Sequence, residues 1–310
     1  MKANSVKKYP LLALKGMAMG AADVVPGVSG GTIAFITGIY EELITSINNI
    51  NFDLFKTLKN EGVGAAWKQL NGTFLVVLFA GIIISIASLA KIVTYLLESH
   101  PVLIWSFFFG LIIASAWIIG KSIKKWAIPE ITALMIGTLI ALWISSLQTT
   151  AGPDSSLWYI FISGAVAICA MILPGISGSF ILVLMGSYHL VLNAVKEREI
   201  ITILVFMSGC LIGLLSFAKL LKFLFSRFKE ITIATLTGFM IGSLYKVWPW
   251  KVNVGDAPLV VHSNGKEDWM QANVLPQDFI GDNQLALAIG CMLLGLALVI
   301  ILERFAPKEA

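Results

Sequence analysis

Charge is what this sequence has least of. Asp, Glu, Lys and Arg make up 13% of its 310 residues, roughly half the share of an ordinary soluble domain. With 57% hydrophobic residues and a mean hydropathy of +0.86, a water-soluble fold of this size could not place so much apolar surface inside. The bilayer is the natural solvent. Cysteine is scarce too: Cys169, Cys210 and Cys291 all lie in apolar stretches, which excludes a disulfide framework and reads as buried free thiols. The three histidines, His100, His189 and His262, form no metal-ligand spacing, and no metal or other cofactor is expected. No nucleophile–base constellation and no Walker motif is present, so neither hydrolysis nor ATP turnover is expected of this chain. The net charge is only +4 and the basic residues lie between apolar runs rather than in a patch, which excludes a nucleic-acid surface.

What is present is a series of runs without acidic or basic residues: Gly72–Ala90, Pro101–Gly120, Ile131–Pro153, Ser155–Val195, Ile200–Ala218, Ile231–Tyr245 and Asn283–Leu302. A spanning helix needs about 20 apolar residues, so most of these are one transmembrane helix each. Ser155–Val195 is too long: as one helix it would run about 60 Å. It must be two arms broken at Pro174-Gly175. The first such unit, Tyr9–Ile47, breaks at Pro26-Gly27. Its basic, then apolar, start resembles a secretory signal, but Lys15 and Asp23 interrupt the apolar run and the segment recurs deep in the chain.

The two broken units are repeats. A shift of 148 residues aligns Gly16–Tyr40 with Gly164–Tyr188 without a gap, with identities at Gly16/Gly164, Ala22/Ala170, Pro26/Pro174, Gly27/Gly175, Ser29/Ser177, Gly30/Gly178, Ile33/Ile181, Gly38/Gly186 and Tyr40/Tyr188. The likeness continues at a shift of 128, where Gly81, Ser88, Ala90, Lys91, Gly110 and Ser115 match Gly209, Ser216, Ala218, Lys219, Gly238 and Ser243. The difference between the shifts is the segment 51–70, which carries Lys56, Lys59, Lys68 and Trp67 and is expected on the membrane surface.

Lys and Arg placement sets orientation. The loops around Lys7–Lys15, Lys56–Lys68, Lys121–Lys125 and Lys222–Lys229, and the tail with Arg304 and Lys308, read as cytoplasmic; Ser146–Leu157 and Pro249–Asp282 read as external. Both termini are then cytoplasmic. These assignments agree when each broken unit enters and leaves on one side, at the cost of leaving Lys196 and Arg198 outside. The expected architecture is an all-α integral membrane protein with an inverted-topology repeat. A first repeat (1–128) holds a re-entrant hairpin (9–47), the surface segment and two spanning helices (72–97, 101–121). A linking helix (129–148) precedes a second repeat (155–250) with hairpin 157–195 and helices 200–222 and 231–248; an extracytoplasmic loop (251–282) and a C-terminal helix (283–303) follow.

The chemistry is expected at the hairpin tips. Broken backbone at membrane depth is tolerated only where it is buried in protein or lines a cavity. Gly27, Ser29, Gly30, Gly31 and Thr32 in one tip, and Gly175, Ser177, Gly178 and Ser179 in the other, offer amide groups at helix starts and hydroxyls, a combination suited to a phosphate. Close helix packing by small residues is the competing explanation, and it explains one such stretch more easily than two at matched positions. Intramembrane charges are functional by default. Asp23, unmatched because its counterpart is Met171, the matched pair Lys91 and Lys219, and Glu41 are the candidate charge partners; Tyr40 and Tyr188 are candidate hydrogen bonders. For Lys91 and Lys219 snorkelling to the surface is the alternative.

The run Ala22-Asp23-Val24-Val25-Pro26-Gly27-Val28-Ser29-Gly30-Gly31-Thr32, with Leu173-Pro174-Gly175-Ile176-Ser177-Gly178-Ser179 and the trailing Gly186-Ser187-Tyr188, closely resembles the bacterial polyprenyl-phosphate transporter family, formerly a domain of unknown function. The resemblance covers nearly the whole chain. It implies a flippase of the bacterial cytoplasmic membrane that returns undecaprenyl phosphate, the lipid carrier of cell-wall precursors, from the outer to the inner leaflet. It also implies a head-group site at the two tips. Undecaprenyl phosphate and membrane lipids are the expected partners, a proton or sodium ion is the candidate coupling ion, with Asp23 as its carrier, and the sequence is compatible with a homo-oligomer. Two rival readings remain. Undecaprenyl-pyrophosphate phosphatases share inverted repeats and a Pro-Gly-x-Ser-Arg-Ser-x-x-Thr loop, but Gly30 and Gly178 stand where that loop has the arginine that would clamp a pyrophosphate. A secondary transporter of a small anionic solute is the other.

Overall fold

The computed structural model describes residues 3–24, 29–147, 156–255, 260–261 and 267–305. Pro26, Gly27 and Val28 of the first tip lie outside the described residues.

The chain begins with helix α1 (Ala3–Asp23), the short α2 (Gly30–Ile36) and α3 (Tyr40–Asn48). Two surface helices follow, α4 (Phe52–Glu61) and α5 (Val63–Leu70), then the long α6 (Gly72–Ser99), α7 (Pro101–Ser122) and α8 (Ile128–Ser146). The order then recurs: α9 (Leu157–Ile172), α10 (Gly178–Leu184), α11 (Tyr188–Lys196), α12 (Ile200–Arg227), α13 (Lys229–Val247) and, after a loop, α14 (Leu285–Phe305). Among the described residues four helices are long and apolar enough to cross a membrane, namely α7, α8, α12 and the Gly72–Leu89 part of α6, and the bent pair α10–α11 makes a fifth if counted as one span. The protein is a multi-pass, mostly helical membrane protein.

The matched sequence positions build matched structure. Ser29 and Ser177, both extended, precede α2 and α10. Gly38 (φ +72) and Gly186 (φ +68) make the turns after them, a backbone state that costs an L side chain about 1–2 kcal/mol. The turn between α6 and α7 at His100 has φ −138 and ψ 52; the turn between α12 and α13 at Phe228 has φ −136 and ψ 47. α6 and α12 are each 28 residues long, about 42 Å, which exceeds a hydrocarbon core of about 30 Å. Lys91 and Lys219 stand at the same height, about 28 Å along them.

Packing repeats as well. α1 lies along α6, with Gly16 against the Leu78 carbonyl and Gly81 against that of Ala13; α9 lies along α12, with Gly164 against the Phe206 carbonyl and Gly209 against that of Phe161. Shifting the second set by 148 in α9 and 128 in α12 reproduces the first. Small residues let helix backbones approach this closely. The last helix of each half packs on the other half. α8 runs along α13, with Gly137 against the Thr235 carbonyl and Gly238 against that of Leu134, while α14 runs along α7, with Gly295 against the Phe107 carbonyl and Gly110 against that of Met292. α8 and α14 are therefore counterparts, each clasped by the opposite half.

α7 and α13 also pack on one another. The amide of Lys124, just past the end of α7, donates to the Glu230 carboxylate at the start of α13 over 3.0 Å. At the other end Phe109 of α7 meets Trp248 just past α13, with ring centroids 5.5 Å apart. These repeat-matched helices thus run antiparallel.

The surface segment is two amphipathic helices. α4 buries no residue, with Phe52 87% and Phe55 75% exposed beside Lys56 and Lys59, the composition of a helix lying in the interface. The loop after α13 is not plain coil. It forms antiparallel ladders of β1 (Lys251–Val254) with β4 (Met270–Asn273) and of β2 (Val260–Val261) with β3 (Glu267–Asp268). Indole Nε1 of Trp248 donates to the Val274 carbonyl (2.8 Å) and that of Trp250 to the Asn283 carbonyl (2.9 Å), tying the loop to the helix ends.

Candidate functional site

α9 ends at Ile172 because Pro174 cannot continue it. Its last carbonyls then lack helical partners. Groups from the first half supply them. The Ser29 hydroxyl donates to the Met171 carbonyl at 2.8 Å and the Tyr40 hydroxyl to the Ile172 carbonyl at 3.1 Å. In return the Gly175 amide donates to Thr32 Oγ1 at 3.0 Å. Gly31 fits against Ile172 so closely that a Cβ would stand 2.5 Å from the carbonyl oxygen. The described parts of the two tips therefore meet, through the repeat-matched Ser29 and Tyr40 and through Thr32.

The first tip also satisfies its own helix start. The Gly31 amide donates to Ser29 Oγ (3.0 Å) and the Gly30 amide to Asp23 Oδ1 (2.6 Å). A Cβ on Gly30 would lie 2.6 Å from the other carboxylate oxygen. Asp23 thus occupies the place at α2 where an anion would dock. The second tip is different. Ser177 makes no side-chain cap to α10; its hydroxyl shares a hydrogen bond of 2.8 Å with that of Ser179. Gly175, at φ +87, sits with its would-be Cβ 2.8 Å from the Phe239 carbonyl and 3.0 Å from Ser243 Oγ, which fixes this tip at mid-height on α13. Gly178 packs on the Ala167 carbonyl.

Ser29, Thr32 and Ser177 are buried, and the tips are pressed together.

The other expected residues fall elsewhere. Lys91 and Lys219 are exposed on α6 and α12 and make no ion pair among the described residues; they are not brought to the tips. Glu41 pairs with Lys229 at 2.8 Å, both half-exposed, on the rim of a cavity of about 220 Å³ between α3 and α12 lined by Glu41, Ile44, Thr45, Lys222, Phe225 and Ser226. The Tyr40 ring lies 5.9 Å from that of Phe225, one of the lining residues. Tyr188, the counterpart of Tyr40, is half-buried and stacks edge-on against His189 at 5.4 Å.

Two cations were not anticipated. Lys246 Nζ lies 4.3 Å from the centre of the Phe180 ring on α10. Lys251 Nζ donates to the Lys246 carbonyl at 2.7 Å and lies 4.2 Å from the centre of the Trp105 ring. Burial first, and the neighbouring Lys246 charge second, push the Lys251 ammonium down to about 7. The signal was legible: Tyr245, Lys246, Trp248, Trp250 and Lys251 put two cations into an aromatic cluster with no acid beside them.

The family model described as undecaprenyl phosphate translocase-like matches residues 19–260. A polyprenyl-phosphate transporter of Vibrio cholerae serotype O1 (strain ATCC 39315 / El Tor Inaba N16961) is 46% identical over 311 residues, covering 99% of this chain and 100% of the relative. A polyprenyl-phosphate transporter of Staphylococcus aureus (strain NCTC 8325 / PS 47) is 34% identical over 253 residues, covering 76% of this chain and 85% of the relative. No solved structure matches the chain significantly. The chain belongs to the undecaprenyl phosphate translocase-like family.

Proposed function

We propose that the chain is a flippase, not an enzyme, which carries undecaprenyl phosphate from the outer to the inner leaflet of the bacterial cytoplasmic membrane and holds the phosphate between the two hairpin tips. The relatives' names support a polyprenyl phosphate as substrate. The observation that carries the site is the mutual bonding of the tips, Ser29 to Met171, Tyr40 to Ile172 and Gly175 to Thr32. It supports a single polar locus shared by both halves, which is what alternating access requires.

An unpaired phosphate in hydrocarbon costs tens of kcal/mol. The tips offer amides, hydroxyls and glycine-lined approach in place of water. The antiparallel run of the matched helices α7 and α13 supports an inverted repeat; in this reading the two hairpins are re-entrant, one from each side, and the placement of Lys and Arg puts both termini in the cytoplasm. The cavity between α3 and α12, rimmed by Lys222 and Glu41, then opens on the cytoplasmic side, and the prenyl tail stays in lipid throughout. Asp23 leaves α2 when phosphate arrives and is the group to take up a coupling proton or sodium ion.

The test is reconstitution into proteoliposomes with labelled undecaprenyl phosphate. Movement of the lipid between leaflets without release of inorganic phosphate is expected. Hydrolysis of the pyrophosphate form, or uptake of a soluble anion without lipid movement, would overturn the reading.

A further inference from the structure

Lys246 and Lys251 sit together at the end of α13 opposite Lys229. The Gly175 turn of the second tip packs against Phe239 and Ser243, and Lys246 is the next turn along the same helix. Its ammonium faces Phe180, the residue after Ser179 in α10. The Lys251 ammonium is fixed at the Lys246 carbonyl and the Trp105 ring. Neither lysine has an acidic partner among the described residues. Two like charges so close, partly removed from water and held only by ring faces and a carbonyl, are unfavourable as they stand. A doubly charged anion between them reverses the sign of that interaction. A phosphomonoester carries about −1.5 to −2 at neutral pH, whereas a phosphodiester lipid carries a single charge. Trp105 under Lys251, and Trp248 and Trp250 with ring centroids 5.5 Å apart, are aromatics of the kind that marks a membrane–water interface, where a lipid head group travels.

We propose that Lys246 and Lys251 form a docking site for a phosphomonoester head group at the external mouth, one helical turn outside the second hairpin tip. The site receives the head group before it reaches Ser177 and Ser179. This rests on the transport reading above and deepens it.

The test uses the full chain in nanodiscs of zwitterionic lipid, with undecaprenyl phosphate, inorganic phosphate and phosphatidylglycerol as probes. The unmodified protein is expected to bind undecaprenyl phosphate. Lys246→Met with Lys251→Met should weaken that binding by about tenfold or more, and the paired Lys→Arg variant should retain it within about threefold, since arginine keeps the charge and the phosphate contact. Competition by inorganic phosphate as strong as by the lipid identifies a soluble phosphate as ligand; weak competition identifies the lipid head group. Equal competition by phosphatidylglycerol refutes selectivity for a monoester. Acetylation of amines in the unmodified protein gives a second readout that needs no variant. Undecaprenyl phosphate should protect Lys246 and Lys251 and leave Lys56 unprotected, and unchanged labelling of both overturns the site. Lipid movement is followed in the same preparations. Movement by the unmodified protein with undiminished binding in a folded Met pair sinks the lysine site alone, whereas no movement by the unmodified protein sinks the transport reading.

Discussion

The Tyr40 hydroxyl reaches 132 residues along the chain to donate a 3.1 Å hydrogen bond to the carbonyl of Ile172. Tyr40 is buried, 2% exposed, so the bond is the only means of satisfying that hydroxyl among the described residues. Tyr40→Phe leaves the Ile172 carbonyl without it and is expected to lower stability by about 1–3 kcal/mol. Tyr188→Phe, at the half-buried counterpart, should change stability by no more than about 0.5 kcal/mol. Chemical unfolding in detergent compares the two; equal effects would show that the cross-half bond contributes nothing.

Gly31→Ala sets a methyl group against the Ile172 carbonyl, 2.5 Å away, and must push the tips apart. A cost of about 1–3 kcal/mol is expected for overpacking a closed contact. Gly64, with nothing within 4 Å of its would-be Cβ, is the control: Gly64→Ala in α5 should be neutral or stabilising by up to about 1 kcal/mol. A thermal melt of the two purified variants decides the matter.

Thr32→Val keeps the shape of a fully buried side chain and removes the acceptor of the Gly175 amide. A buried amide left without a partner costs about 1–3 kcal/mol. Hydrogen exchange at Gly175 should accelerate in the variant, while exchange in α7 stays as it was.

Asp23→Asn retains an oxygen for the Gly30 amide and removes the charge. A charge-assisted bond is about twice as strong as a neutral one, so a modest loss of stability is expected with the fold intact. Lipid movement driven by an imposed proton or sodium gradient should fall to the undriven rate. A gradient response equal to that of the unmodified protein would exclude Asp23 as the coupling group.

Lys251 gives a pH dependence of known sign. Its ammonium ordinarily titrates at 10.5 and is pushed down to about 7 in the folded protein. Between those values the unfolded chain holds the extra proton, so this group makes stability rise with pH across that window. Lys251→Met should remove that part of the slope. Unfolding midpoints of both proteins at pH 6.5 and at pH 9.5 measure it; parallel pH profiles would contradict the assignment.

The repeat was legible because it rests on residues that composition does not explain, Pro-Gly-x-Ser-Gly with Gly and Tyr at fixed distances beyond. The shift of 128 between Gly81 and Gly209 returns as helices of equal length with equal turns at His100 and Phe228. The role of α8 and α14 was not legible. Their matched contacts, Gly137 with Thr235 and Gly295 with Phe107, join residues far apart in sequence, and apolar helices carry no mark of which neighbour they face. The hydroxyls and glycines through which the tips touch stand in the broken-helix motif. Their partners were not legible, because Met171 and Ile172 take part through backbone carbonyls, which every residue has. Matched position alone set Lys91 and Lys219 beside the tip residues as charge partners; both are exposed on α6 and α12. The ladders of β1 to β4 escaped notice because each strand is at most four residues long.

The exchange of α8 and α14 between the halves has a mechanical consequence. A cut in the connection from α8 to α9 would not release two independent lobes, because each would still grip the other's final helix. The pieces should co-purify as one interlocked particle, and whatever motion carries cargo across must bend within that embrace rather than unhook it.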